Sequence, residues 1–283
     1  MVGILTQPSP QLGEYLAASY VKWAEAAGAR VVPIRYQSSL EELDAVFLGI
    51  SGLLLPGGGA SLDPADSQYY RAAAYLLDLA ERANAAGNRF TVWGTCLGWE
   101  LLAVWASGNN YSILSSGFTD EGRMASVQIL PGAGEEIMLA SSLLRHALEA
   151  SPSTFYSHEM GINPKAMRDN VALSRAFKIL ALGHDEKHRE FVAIAQGRHR
   201  PYYAVQFHPE KVVFEWTTKA NISHSDDALL VGRAFAIFFN DQVRQSRPGQ
   251  FARGEKEAFE RSVHAVGKLK YLGDSYFSEV YVF

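Results

Sequence analysis

The feature that most constrains this chain is a stretch in which an apolar strand turns directly into a helical pattern around a cysteine: Thr91-Val92-Trp93-Gly94-Thr95-Cys96-Leu97-Gly98-Trp99-Glu100. A β-branched and aromatic run followed at once by helical periodicity leaves room for a single sharp turn, and the flanking glycines let strand and helix approach closely. Such a turn projects one side chain, strained and exposed, at the carboxyl edge of a sheet, where a nucleophile stands. The first free N–H groups of the helix point at that side chain, so thiolate is expected to be favoured over thiol. Cys96 is the only cysteine, which excludes an internal disulfide. The alternative is a buried structural thiol; the glycines weigh against it, because a core helix gains nothing from them.

Around this turn, short apolar runs alternate with helical patterns, the signature of a parallel sheet with crossover helices. Strands are expected at Val2–Leu5, Val31–Ile34, Gly52–Leu55 and Thr91–Trp93, and helices at Leu12–Ala27, Leu40–Leu48, Pro64–Ala86 and Leu97–Trp105. The spacing of Leu12, Tyr15, Leu16, Ser19, Tyr20 and Trp23 carries the first of those helices. Residues Tyr111–Leu130 have β-like character, and Ser142–Ala150 is helical. Phe177–Leu182 and Phe191–Ala195 read as a hairpin pair, Tyr202–Phe207 as a core strand and Ala228–Val243 as an apolar helix. A charged helical stretch, Glu255–Val266, precedes a closing alternation of Tyr276, Phe277, Tyr281 and Phe283, which is either a docking surface or an edge strand. No repeat or linker divides the 283 residues, so one domain spanning 1–283 is expected, an α/β/α sandwich with a mostly parallel central sheet.

Composition excludes more than it proposes. Hydrophobic residues make up 48% and charged residues 20%, enough to build a sizeable core. The formal net charge of -4 gives no electrostatic case for nucleic acid or an anionic membrane. No apolar stretch approaches the roughly 20 residues that span a bilayer. Met1 is followed at once by the strand-like Val2-Gly3-Ile4-Leu5, with no signal-peptide pattern. Two glycosylation sequons, at Asn110 and Asn221, tilt the compartment only slightly.

A thiol nucleophile needs a base. In Gln206-Phe207-His208-Pro209-Glu210, a histidine ends an apolar strand with a carboxylate two positions on. Pro209 biases His208 toward extended backbone, which would put His208 and Glu210 on one side of the strand. The carboxylate could then hold the imidazole tautomer and stabilise its cation. The competing reading is a strand-capping histidine with an incidental glutamate. The third element is Pro56-Gly57-Gly58-Gly59 after a buried strand, whose backbone N–H groups can turn toward a neighbouring oxyanion. A phosphate cradle would require a following Gly-Lys-Ser/Thr, which is missing. His184 and His188 stand four apart, but His184-Asp185-Glu186-Lys187-His188 lacks the His-Glu-x-x-His order, so no metal is expected and the stretch reads as a solvated turn.

The order Pro-Gly-Gly, Gly-x-Cys-x-Gly and His-Pro-Glu resembles the class I glutamine amidotransferase superfamily, and within it the γ-glutamyl hydrolases, or folate conjugases. Carrying the closer likeness are Ala17-Ala18-Ser19-Tyr20-Val21-Lys22, Ala27-Gly28-Ala29-Arg30-Val31-Val32-Pro33, Val92 to Gly98, Val205 to Lys211, Phe214-Glu215-Trp216 and Ile222-Ser223-His224. The resemblance implies a flavodoxin-like fold with Cys96 as nucleophile, His208 as general base and Glu210 orienting it. It makes Leu97 N–H and a glycine of Gly57 to Gly59, foremost Gly58, the oxyanion donors. It also points to His158 in Phe155-Tyr156-Ser157-His158-Glu159 as an active-site histidine, and to Glu100 as a substrate contact. On the residues alone, His158 could equally be a solvated loop histidine and Glu100 a helix-surface charge.

The implied reaction is hydrolysis of the γ-glutamyl amide bonds of folate poly-γ-glutamates, without a cofactor. A substrate with several carboxylates calls for cations at the pocket, and Lys211 and Arg123 are the candidates. The resemblance also implies a homodimer and a lysosomal, vacuolar or secreted location. Rival readings are a glutaminase-type subunit feeding ammonia to a partner, a hydrolase of small γ-glutamyl amines, and a catalytically silent binding or redox-sensing protein.

Overall fold

The computed structural model describes residues 1–273 and 275–283. Its centre is an eight-stranded sheet in the order Val31–Ile34, Val2–Leu5, Gly52–Leu55, Thr91–Thr95, Tyr202–Val205, Glu190–Gly197, Phe177–His184, Gln128–Ile129. The first five are mutually parallel and the last three are added antiparallel, so the mostly parallel α/β arrangement is as expected. Because successive strand residues point to opposite faces, Leu53, Leu55 and Val92 enter one core while Leu54 and Trp93 enter the other. Helices Leu40–Gly49, Gln68–Ala85 and Leu97–Ala106 cover the first face, and Ala18–Ala26, Ser142–Ala150 and Asp226–Arg244 the second. Both faces being buried explains why the central strands read as continuous apolar runs.

Trp93 is the hub of the second core: its ring lies 5.5 Å from Trp23, 5.8 Å from Phe235 and 5.8 Å from Phe239. Aromatic pairs of this kind contribute about 0.5–1.5 kcal/mol each beyond area burial. Serine side chains cap four helices among the described residues, with Ser39 in a capping box with Glu42, Ser67 accepting from Tyr70 N, Ser141 from Leu144 N and Ser225 from Ala228 N.

Three expectations need correction. The helix expected over Leu12–Ala27 starts only at Ala18. Gly13–Ala17 is a strand, entered through Gly13 at φ 76°, that pairs with Gln7–Ser9 on one side and Glu279–Val282 on the other. A partner far away in sequence overrides the local helical spacing there. The closing aromatic segment is therefore not an edge strand: Glu279–Val282 lies inside a four-stranded sheet, between Lys268–Tyr271 and Gly13–Ala17, while Tyr276 stays exposed. The turn at His184–His188 is not simply solvated either. It is built on buried Asp185, whose carboxylate accepts from Lys187 N, Arg189 N and Arg189 Nε at 2.8–2.9 Å. Burial works against that charge, but these donors outweigh it and hold the carboxyl down to about 2.

The strand-to-helix turn depends on close packing. A Cβ on Gly98 would lie 2.0 Å from the Leu55 carbonyl oxygen, and one on Gly94 would lie 2.7 Å from the Gly98 oxygen. Both obstacles are backbone, which cannot swing aside. Gly98→Ala should therefore destabilise the protein by about 3 kcal/mol through overpacking, read as a lower urea midpoint at unchanged m-value; a midpoint equal to wild type would contradict this packing.

Candidate active site

Cys96 sits between strand Thr91–Thr95 and helix Leu97–Ala106 with φ 51° and ψ -111°, a conformation that L-residues rarely adopt. Its N–H donates to Val205 O at 2.8 Å, tying the turn to the adjacent parallel strand. The thiol is 5% exposed and lies 3.8 Å from Ser157 O. Burial pushes its pKa well up, and the nearby Glu100 carboxyl pushes the same way. The Leu97 N–H directed at the sulfur and the Lys211 ammonium pull it down, but do not win. The expected thiolate preference is thus reversed at rest, because desolvation exceeds what one helix terminus supplies.

His208 follows the core strand Tyr202–Val205, its backbone N–H held by Phe155 O at 2.8 Å. Its Nδ1 lies 2.8 Å from Glu210 Oε1, and both side chains are buried. The pair forms, though not by the extended geometry expected. Glu210 is at φ -73° and ψ -33°, opening the short helix Lys211–Phe214, so a turn brings its carboxylate back to the ring. A carboxylate on Nδ1 fixes the proton there and leaves Nε2 as the basic nitrogen.

The glycine loop meets this pair from the neighbouring strand. A Cβ on Gly57 would stand 2.6 Å from His208 Cε1 and 3.3 Å from Cys96 Cβ, so imidazole and thiol flank the bare Cα of Gly57. Gly57 N–H donates to the Tyr20 hydroxyl at 2.7 Å, which engages that amide. Gly58 and Gly59 line the space beside Cys96, and Gly59 has nothing within 4 Å of where its Cβ would be.

Two cavities meet at Cys96, Gly58, Gly59, Glu121 and Ser157. One, of about 560 Å³, adds Leu97, Glu100, His158 and Met160. The other, of about 300 Å³, adds His208, Lys211, Tyr15, Tyr276 and Phe277. The aromatic tail thus takes part in a wall of the site.

Glu100 is not a surface charge: it is 3% exposed, accepts from Gln206 Nε2 at 2.9 Å and has its pKa pushed up to about 7, with burial the main cause and the Gln206 bond opposing it. His158 ends strand Thr154–His158, paired antiparallel with Asp120–Ala125, and is buried rather than solvated. Its Nδ1 contacts Met160 O at 2.7 Å, and its Nε2 lies 3.6 Å from Asp120 Oδ2. Burial lowers its pKa to about 4, the Met160 bond opposing, so the ring is neutral at pH 7.

Of the two candidate cations, Arg123 is taken: it pairs with Asp120 at 2.5 Å and donates to His184 O. Lys211 is buried in the wall of the smaller cavity, its Nζ 3.2 Å from Tyr276 O and 4.3 Å from the Phe277 ring centre. Burial lowers its pKa while Glu210 and Glu215 oppose that.

Sequence reasoning missed Tyr20, Gln206 and Asp120. Both Tyr20 and Gln206 lie within stretches that carry the family likeness, but the sequence gives neither side chain a role of its own. A polar group in an otherwise apolar run is the signal that could have found Gln206. Among the described residues no cluster of three or more His, Cys, Asp or Glu could hold a metal, and no helix is long and apolar enough to cross a membrane.

Comparison with known proteins gives the same frame. The family model described as Peptidase C26 matches residues 6–210. Gamma-glutamyl hydrolase of Mus musculus is 39% identical over 234 residues, covering 82% of this chain and 72% of that protein. Gamma-glutamyl hydrolase B of Dictyostelium discoideum is 31% identical over 296 residues, covering all of this chain and 82% of that protein. A solved structure titled SMU.1228c shares the fold at a TM-score of 0.52, with 16% identity over 86% of this chain and 99% of that one. The chain belongs to the peptidase C26 family and is a hydrolase.

Proposed function

We propose that this protein hydrolyses the γ-glutamyl amide bonds of folate poly-γ-glutamates through a Cys96 thioester, with His208 as general acid and base and Glu210 orienting it. Hydrolysis of γ-glutamyl bonds is the activity named for its curated relatives. The observation that carries the mechanism is the convergence of Cys96 and His208, itself held by Glu210, on one cavity, around a glycine with no side chain to separate them.

His208 Nε2 takes the thiol proton as Sγ attacks the γ-carbonyl carbon. Leu97 N–H and Gly58 N–H hold the resulting oxyanion. The C–N bond then breaks as the imidazolium gives its proton to the leaving amine nitrogen. Water delivers a proton to Nε2 and its oxygen to the thioester carbon, the C–S bond breaks, and the thiolate recovers the proton. Glu210 stabilises the imidazolium. Lys211 supplies a cation for a glutamyl α-carboxylate in the smaller cavity.

Three measurements test this reading. On pteroyl-tri-γ-glutamate, Cys96→Ala should lose at least 10⁴-fold in turnover with the fold intact; glutamate release at the wild-type rate would refute the assignment. Lys211→Met should raise KM about tenfold or more with kcat less affected, and an unchanged KM would remove its role. Glu100 ionises as pH rises through about 7, and its charge then opposes ionisation of the thiol. Glu100→Gln should therefore speed alkylation of Cys96 by iodoacetamide about tenfold at pH 8. Below pH 6 Glu100 is already protonated, so the two proteins should react alike; equal rates at both pH values would show that the two groups do not interact.

A further inference from the structure

We propose that Tyr20 is a positioning residue that locks the Pro56–Gly59 loop onto the His208–Glu210 pair, and so decides which loop amides remain to hold the oxyanion. The inference rests on the hydrolytic reading of Cys96.

Tyr20 lies on helix Ala18–Ala26, on the face of the sheet opposite the helix that follows Cys96, and is 1% exposed. Its hydroxyl reaches through to the carboxyl edge of the sheet, where it lies 2.7 Å from Gly57 N and 3.2 Å from His208 Nδ1. A phenol oxygen accepts two hydrogen bonds and donates one. Gly57 N–H occupies one acceptor site. His208 Nδ1–H, whose main partner is Glu210 Oε1, lies beside the other. Burial raises the phenol's pKa well above its ordinary value, and the nearby Glu210 carboxyl acts the same way. The hydroxyl thus joins the Gly57 loop to the His208–Glu210 segment.

The arrangement has two effects. It commits the Gly57 amide, leaving Gly58 and Gly59, which line the cavity beside Cys96, as the loop's donors. It also leaves no slack: a Cβ at position 57 would lie 2.7 Å from the Tyr20 oxygen and 2.6 Å from His208 Cε1. Phenylalanine would keep the ring packing but leave a buried N–H unpaired, and the loop would turn that amide toward the nearest acceptor. A shift of about 1 Å in an oxyanion donor is enough to cost on the order of 100-fold in rate.

The test is Tyr20→Phe, read two ways. On pteroyl-tri-γ-glutamate, kcat should fall about 10- to 100-fold with KM changed less than threefold. A γ-glutamyl peptide aldehyde, whose hemithioacetal oxygen on Cys96 occupies the oxyanion position, should lose affinity in proportion. A Phe variant with wild-type kcat and aldehyde affinity, whatever its Tm, would overturn the proposal, because a purely structural hydroxyl would move only Tm. If the wild type released no glutamate from the folate substrate, the substrate reading would fall, while the aldehyde comparison would still decide the role of Tyr20.

Discussion

Everything at this site depends on how closely one helix start packs against a strand. Gly98 lies so near the Leu55 carbonyl that a Cβ would sit 2.0 Å from its oxygen, and this contact pins helix Leu97–Ala106 to the centre of the sheet. The turn between them has one residue in which to reverse direction, and that residue, Cys96, takes the cost as a positive φ of 51°. Strain of this kind persists only where the surroundings over-determine it. Here they do so through Gly94 and Gly98 on the chain itself and the Cys96 N–H bond to Val205.

The same compactness shapes the electrostatics. Cys96, Glu100, Glu210, Lys211 and His208 are all buried within one neighbourhood. Burial raises the thiol and Glu100 and lowers Lys211 and His158, in each case favouring the uncharged form. In the proposed reaction charge arises on the imidazolium and the oxyanion, and a site that holds its own charges back at rest can place them there. Glu210 lies 2.8 Å from His208 Nδ1, and Gly58 and Gly59 line the cavity beside Cys96. This is why the short turn at Pro209 matters as much as the cysteine: it brings a carboxylate to Nδ1 and so leaves Nε2 basic.

Much of this was legible in the sequence because the chemistry there is local. Two glycines around a cysteine, three glycines after a strand and a proline between His208 and Glu210 each constrain the backbone where they stand. The parallel core followed from apolar runs buried on both faces. What stayed hidden was set by partners distant in sequence. Gly13–Ala17 carries helical spacing yet pairs with Glu279–Val282. Tyr20 reads as one more residue on a helix face, and its hydroxyl meets Gly57 and His208 only after the sheet forms. Glu100 resembles a surface charge until Gln206 and the burial around it are seen. The thiol's protonation was misjudged for the same reason: a helix terminus is visible in a sequence, whereas desolvation is a property of the assembled fold.

The central claim, that Cys96 forms a covalent acyl intermediate with a γ-glutamyl substrate, is tested most directly by rapid acid quench and intact-mass analysis during turnover of a pteroyl-γ-glutamyl substrate. The account predicts a transient adduct with the mass of the acyl portion, mapped to the peptide carrying Cys96, that decays as product forms. Steady release of glutamate with no adduct on that peptide at any quench time, in enzyme that turns over slowly enough to trap one, would contradict it.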